Sequence, residues 1–255
     1  MNAASPPPPL ADITALALHA GLLAHSCGAD TARTSLIMQR CAVRLGVERV
    51  DTVVSSLNLG LTLERGGERE TALRKAPHMG VNFRALDALE RAVSTLEAGH
   101  TNLEAFSAWL GRIAADTPHY PAPVMTLLVG FACGSFAALF GGDASAILIT
   151  TLASGVGMAA RQWLVAQHFQ PLVFATVAAF IATLLAGLLR PYTATPDAAL
   201  AACVLFLIPG VPLINGTSDL LHGNYLNGNV RLTMGAVFIL GIALGMSLAL
   251  RVVGP

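Results

Sequence analysis

Between Leu207 and Arg231 the chain reads LIPGVPLINGTSDLLHGNYLNGNVR, where Asn215, Asp219 and His222 recur at helical spacing just past an apolar run. The run itself is interrupted at Pro209-Gly210 and at Pro212. Lipid tolerates broken backbone only where protein or a water-filled cavity satisfies the freed N–H and C=O groups. A carboxylate carried near the bilayer by a discontinuous helix is therefore a candidate solute or ion pathway. Backbone groups freed around Pro209, Gly210 and Pro212 can bind a carboxylate or a hydroxyl, and Asn215 adds an uncharged amide. Asp219 is the candidate for proton coupling or for binding an ammonium group, because such a carboxylate can be neutralised reversibly. Arg231 and Arg161 carry guanidinium groups that match a carboxylate bidentately at the cytoplasmic mouth. Each residue also has a plainer role. The prolines can simply kink a helix, Asn215 can glue neighbouring helices, Asp219 can pair with Arg231, and both arginines can be topology signals.

Composition divides the chain. Residues 1–120 hold 11 Lys/Arg and 12 Asp/Glu, as a soluble domain would. Residues 121–255 hold four arginines (Arg161, Arg190, Arg231, Arg251) and three aspartates (Asp143, Asp197, Asp219). Neither half is strongly basic, which argues against nucleic acid as a partner. Cys27, Cys41, Cys133 and Cys203 form no CxxC and have no His at zinc-ligand spacing, so buried reduced thiols are expected and no metal or cofactor is implied. The start, MNAASPPPPLAD, lacks a basic segment followed by an apolar one and reads as a Pro-rich disordered leader over residues 1–10.

Five apolar runs follow Pro121, at about 122–140, 144–160, 172–189, 198–214 and 232–250. Each approaches the ~20 residues needed to cross ~30 Å of hydrocarbon. The expected fold is an α-helical membrane protein, with a soluble α+β N-terminal domain over 11–120 and a bundle of about five transmembrane helices over 121–255. The many arginines before the first span place the N-terminus in the cytoplasm and the C-terminus outside, with Arg161 and Arg231 in cytoplasmic loops. The GxxxG pairs Gly130/Gly134 and Gly241/Gly245 predict close helix packing or an oligomer. An odd number of spans looks like half of an inverted repeat.

In the soluble half, residues 11–27 and 31–45 carry helical periodicity around Gly28-Ala29, with Asp30 or Thr31 as N-cap. Strands are expected at 50–55, 57–64 and 69–75, and two further helices at about 82–98 and 103–115. Catalytic motifs of the GxSxG, HExxH and P-loop types do not occur. His19 and His25 are six apart, poor spacing for one helix face, and His78, His100 and His119 lie near turns. Arg74, His78 and Asn82 could line a vestibule. Ser55-Ser56 with scattered His and Asp is the weak case for a membrane-anchored hydrolase-like enzyme.

At PGVPLINGTSDLLHG the chain resembles the ThrE-type threonine/serine exporter family, in the YjjP-like component of its two-component form. The resemblance covers nearly the whole chain. It takes in Gly28-Ala29, residues 50–56, Arg74 and Gly80-Val81-Asn82, then Arg161, Pro209-Gly210, Pro212-Leu213, Asn215, Asp219, Gly223 and Arg231. It implies a non-enzymatic bacterial inner-membrane exporter of small amino or carboxylic acids, of the threonine/serine or succinate class, with a cytoplasmic N-terminal domain and five spans. Single-chain relatives fuse a second set of spans. A separate small membrane subunit of the YjjB-like type is therefore the implied partner, and the driving force is expected to be the proton gradient. A regulatory or assembly subunit of a transporter is the main alternative.

Overall fold

The computed structural model describes residues 8–76, 80–116 and 120–254. Residues 1–7 of the expected leader, and His78, Pro118 and His119, lie outside the described residues. The chain forms two compact units, Met1–His119 with Leu213–Leu232, and Tyr120–Pro212 with Thr233–Pro255. The sequence suggested a single boundary near residue 120. The structure instead returns one later segment to the first unit.

The first unit opens with α1 (Leu10–Ser26) and α2 (Thr31–Arg44). An antiparallel meander follows, of β1 (Arg49–Val54), β2 (Asn58–Arg65) and β3 (Glu68–Lys75), in that spatial order. Then come α3 (Phe83–Glu97) and α4 (Leu103–Asp116). Alternation along β2 turns Leu59, Leu61 and Leu63 into the core, where they join Ile13, Ile37, Met38, Leu89 and Phe106. Side chains cap the starts of α2, α3 and α4, the first at Asp30 as its sequence suggests. Asp30 accepts from Arg33 N at 2.8 Å, Asn82 from Ala85 N at 3.1 Å and Asn102 from Ala105 N at 2.8 Å. Arg40 bridges Glu90 and Glu97, and Arg33 reaches Glu90, so α2 and α3 are laced together by charge. The Arg40 guanidinium holds the Glu97 carboxyl below the usual carboxylate range.

The second unit contains α5 (Ala122–Leu139), α6 (Ala144–Ala166), α7 (Pro171–Leu188) and the short α8 (Pro196–Ala202). A single 3-10 turn, Leu205–Leu207, precedes α9 (Gly210–Leu221), and α10 (Tyr225–Val253) closes the chain. Among the described residues, four helices, α5, α6, α7 and α10, are long and apolar enough to cross a membrane. The pair Pro196–Leu207 and Gly210–Leu221 makes a fifth span if counted as one broken element. The break lies at residues 203–209, where Ile208 is extended before Pro209, as a residue preceding proline prefers to be. Pro212 does not break the chain. It sits in the first turn of α9, where a missing N–H costs nothing because the first N–H groups of a helix have no intrahelical partner. Arg161 and Arg231 were expected in loops, but α6 and α10 extend past the apolar runs and enclose both.

The GxxxG pairs are used inside the chain. A Cβ on Gly130 would lie 2.7 Å from Thr151 O of α6, and one on Gly241 would lie 3.1 Å from Leu172 O of α7. Gly134 and Gly245 face α6 and α7 backbone in the same way. Gly155 has open space by comparison, with nothing nearer than 4.0 Å. Gly130→Val or Gly241→Val should therefore destabilise the detergent-solubilised protein by about 1–3 kcal/mol through overpacking. Gly155→Ala should leave the thermal unfolding midpoint close to that of the parent protein.

Candidate functional site

Three of the residues singled out in the sequence, Asn215, Asp219 and Arg231, converge on the turn between α1 and α2. Asp219, only 1% exposed, faces Arg231, 3% exposed, with Oδ2 and Nε 3.2 Å apart. Its other oxygen accepts from Thr31 N at 3.1 Å, the first amide of α2, where the helix dipole favours negative charge. The Arg231 guanidinium donates to Ala29 O at 3.1 Å, and Asn215 Nδ2 donates to Gly28 O at 2.8 Å. One turn along α9 from Asn215 and next to Asp219, Ser218 donates to the Asp30 carboxylate at 3.1 Å. The segment past the break thus lies polar face inward on Gly28-Ala29-Asp30-Thr31.

Gly28 makes that turn possible. Its φ is +100°, a region L side chains rarely adopt, and a Cβ there would lie 3.2 Å from Gly80 O. Ser26 O accepts from Gly80 N at 2.9 Å and Cys27 O from Asn82 N at 3.0 Å, which ties the 80–82 turn to the same place. Gly28-Ala29, Gly80-Val81-Asn82, Asn215, Asp219 and Arg231 carried the family resemblance at widely separated positions. The fold gathers them at one junction.

Sequence reasoning missed Ser218, and with it Asn227 and His25. Asn227 donates to Thr31 Oγ1 at 3.0 Å and Val54 O at 2.7 Å, and accepts from Ser56 N at 3.1 Å, so it fixes the β1–β2 turn to the start of α10. Its only sequence signal is an amide at i−4 from Arg231 on one helix face. His25, 1% exposed, has no hydrogen-bond partner at either ring nitrogen. Burial, and then the nearby Arg231 charge, lower its pKa from 6.5 to about 4. Its position in the last turn of α1 gave no hint of this.

The other predicted residues have different settings. In the second unit, the Arg161 guanidinium lies 5.5 Å from the centre of the Phe174 ring, a cation–π contact. Pro209 precedes α9, and Gly210 and Pro212 lie in its first turn, Gly210 N donating to Ile208 O at 2.9 Å. His222 is exposed and bonded back to Ser218. Arg74 is exposed on β3. Beside the junction, an open groove of about 650 Å³ runs between α2 and β1, lined by Thr31, Ser35, Gln39, Thr52 and Asn224 among others. All four cysteines are free and buried. Among the described residues, no group of three or more His, Cys, Asp or Glu is placed to hold a metal ion.

Apolar helices of spanning length, one of them broken, define a multi-pass membrane protein. A family described as "Putative threonine/serine exporter" matches residues 15–253, and the chain belongs to this family, ThrE. It is 31% identical to the "Probable succinate transporter subunit YjjP" of Escherichia coli K12 over 95% of both chains. It is 30% identical to the protein of the same name from Klebsiella aerogenes, over 95% of this chain and 94% of that one. It is 23% identical to the "Threonine/serine exporter" of Corynebacterium glutamicum over 98% of this chain, which spans 55% of that protein. No solved structure matches.

Two outcomes follow from the junction. Removing one partner of a buried ion pair strands the other charge, so Asp219→Ala should lower unfolding stability by about 3–5 kcal/mol, with much of the loss recovered in Asp219→Ala/Arg231→Met. His25 is held neutral in the folded chain, while the unfolded chain takes up a proton below pH 6.5. Its contribution is therefore fully present above pH 6.5 and is lost as pH falls towards 4, by on the order of 3 kcal/mol. Thermal melts of solubilised protein across that range should show a shallower acid slope for His25→Leu.

Proposed function

We propose that the chain is one subunit of a bacterial inner-membrane exporter for small carboxylate-bearing solutes, of the threonine/serine or succinate class, driven by the proton-motive force. The observation that carries the reading is the broken span of α8 and α9, followed on the same helix by the buried carboxylate Asp219. Family membership supports transport, and relatives matched over nearly their whole length are named as transporter subunits. That naming supports a second membrane subunit of the YjjB-like type. In this reading residues 11–116 face the cytoplasm, the C-terminus faces the periplasm, and the chain carries no catalytic centre.

Asp219 is the proposed coupling group. As a carboxylate it holds Arg231 and the α2 amide together. A proton arriving there removes the charge that the Arg231 contact needs and weakens the bond from the α2 amide, which loosens α9 from the α1–α2 turn. Arg231 is then free to receive a solute carboxylate, with Asn215 as a further contact, and the backbone at Pro209, Gly210 and Pro212 is assigned a solute-binding role of its own in the second unit. Arg161 is assigned a weaker, steering role.

One observation favours a second reading. Asn215 and Asp219 spend their hydrogen bonds on Gly28 O and Thr31 N, as expected if this segment assembles the subunit and the partner carries the solute. Uptake of labelled threonine, serine and succinate into inside-out vesicles separates the two, using this chain with and without the candidate partner under an imposed proton gradient. The exporter reading expects uptake that needs both chains and the gradient. It also expects Asp219→Asn to lower the rate at least tenfold and flatten its pH dependence. Unchanged uptake and pH dependence in Asp219→Asn, with the protein inserted, would end the coupling role and favour assembly.

A further inference from the structure

Inside a bilayer the nearest partner for a helical hydroxyl is the carbonyl four residues earlier. Thr126, Ser135, Thr151 and Thr176 all take it, donating to Ala122 O, Phe131 O, Ile147 O and Leu172 O at 2.7–3.0 Å. Three fully buried hydroxyls of the second unit behave otherwise. Ser154 of α6 donates to Cys203 O at 3.0 Å. Thr183 Oγ1 of α7 lies 3.9 Å from Cys203 Sγ. Thr150, one turn before Ser154 on the same face of α6, has no hydrogen-bond partner.

Ser154 and Thr183 meet at Cys203, and Thr150 lies one helical turn from Ser154. Cys203 is the residue at which α8 ends, and beyond it the broken span runs through a 3-10 turn and extended Ile208. The carbonyls of a helix end have no intrahelical donor, and here Cys203 O is met by a hydroxyl from a neighbouring helix. An unpaired hydroxyl in a medium without water is costly, and such groups are rare unless a ligand or water completes them.

We propose that Thr150, Ser154, Thr183 and Cys203 form a recognition site for an uncharged hydroxyl on the exported solute. The proposal rests on the exporter reading. A hydroxyl both donates and accepts, and so do Thr150, Ser154 and Thr183, while Cys203 O accepts. The four side chains offer no counter-charge to a carboxylate or ammonium, and burying either unpaired is expensive. The site therefore selects the uncharged part of a small hydroxy acid and leaves its charged groups to be held elsewhere. A solute lacking the hydroxyl, such as succinate, leaves Thr150 unpaired.

The test uses inside-out vesicles holding this chain and its candidate partner, supplied with labelled threonine or labelled succinate. Uptake of each label is measured against excess unlabelled threonine and against excess unlabelled 2-aminobutyrate, the same solute without its hydroxyl. Threonine should compete severalfold better than 2-aminobutyrate. Thr150→Val and Ser154→Ala should lower the preference for threonine over succinate by about tenfold or more while succinate uptake persists. If the variants do not insert, the competition by threonine and 2-aminobutyrate in the parent chain decides the matter. Equal competition by threonine and 2-aminobutyrate, an unchanged preference in Thr150→Val, or carriage of succinate without competition from threonine overturns the hydroxyl site and leaves the exporter reading standing. Uptake of neither label overturns the exporter reading itself.

Discussion

Asp219 and Arg231 are both out of water, and the first unit is arranged to make that tolerable. Moving an ion pair into a protein interior costs several kcal/mol per charge, and their attraction offsets this only when the remaining hydrogen-bonding capacity is used. Here the second Asp219 oxygen takes the leading amide of α2, and the arginine reaches a carbonyl of the preceding turn. Both need the chain to reverse tightly between α1 and α2, which requires Gly28 at positive φ. Asn215, Ser218 and Asn227 complete the set, bonded within the same unit to Gly28 O, to the Asp30 carboxylate and to the Thr31 hydroxyl. The later segment belongs with the N-terminal unit because its polar groups have their partners there.

Much of the fold was legible from periodicity. The alternation of Leu59, Leu61 and Leu63 identified a strand with one buried face, and four of the five apolar runs became helices of spanning length. What the pattern could not show was where α6 and α10 stop. Hydropathy falls at Arg161 and at Asn227-Gly228-Asn229, and a polar stretch reads as loop. The backbone continues as helix because Phe174 accommodates one arginine and the α1–α2 turn satisfies the polar residues of the other helix. Pro212 misled for a related reason. Proline marks a helix start as readily as a break, and only the position of the preceding turn distinguishes them.

The candidate site was half visible. Asn215, Asp219 and Arg231 stood out because they are polar beside apolar runs. Gly28-Ala29 and Thr31 were marked only as a turn and a helix start, and nothing local tied them to Asn215, Asp219 and Arg231, which lie nearly 190 positions or more away in sequence. His25 was hidden more completely. Its significance comes from being enclosed beside Arg231 without a partner, a property of the packing and not of the local sequence.

The two units solve one problem in two ways. In the first, charge is buried against charge and a helix N-terminus. In the second, hydroxyls are buried against the end of a broken helix. In the exporter reading proposed above, the first arrangement is the one that answers a proton, because neutralising Asp219 would leave Arg231 enclosed without its counter-charge, and a guanidinium does not deprotonate to relieve that. The pair must then separate or the arginine must find another anion. The second arrangement has no such lever, since its members are uncharged, and it responds only to a group that can both donate and accept. A transporter needs both kinds of response, one to the driving ion and one to the solute. The broken span carries Cys203 before its interruption and Asp219 after it, so one covalent segment bears a residue of each kind.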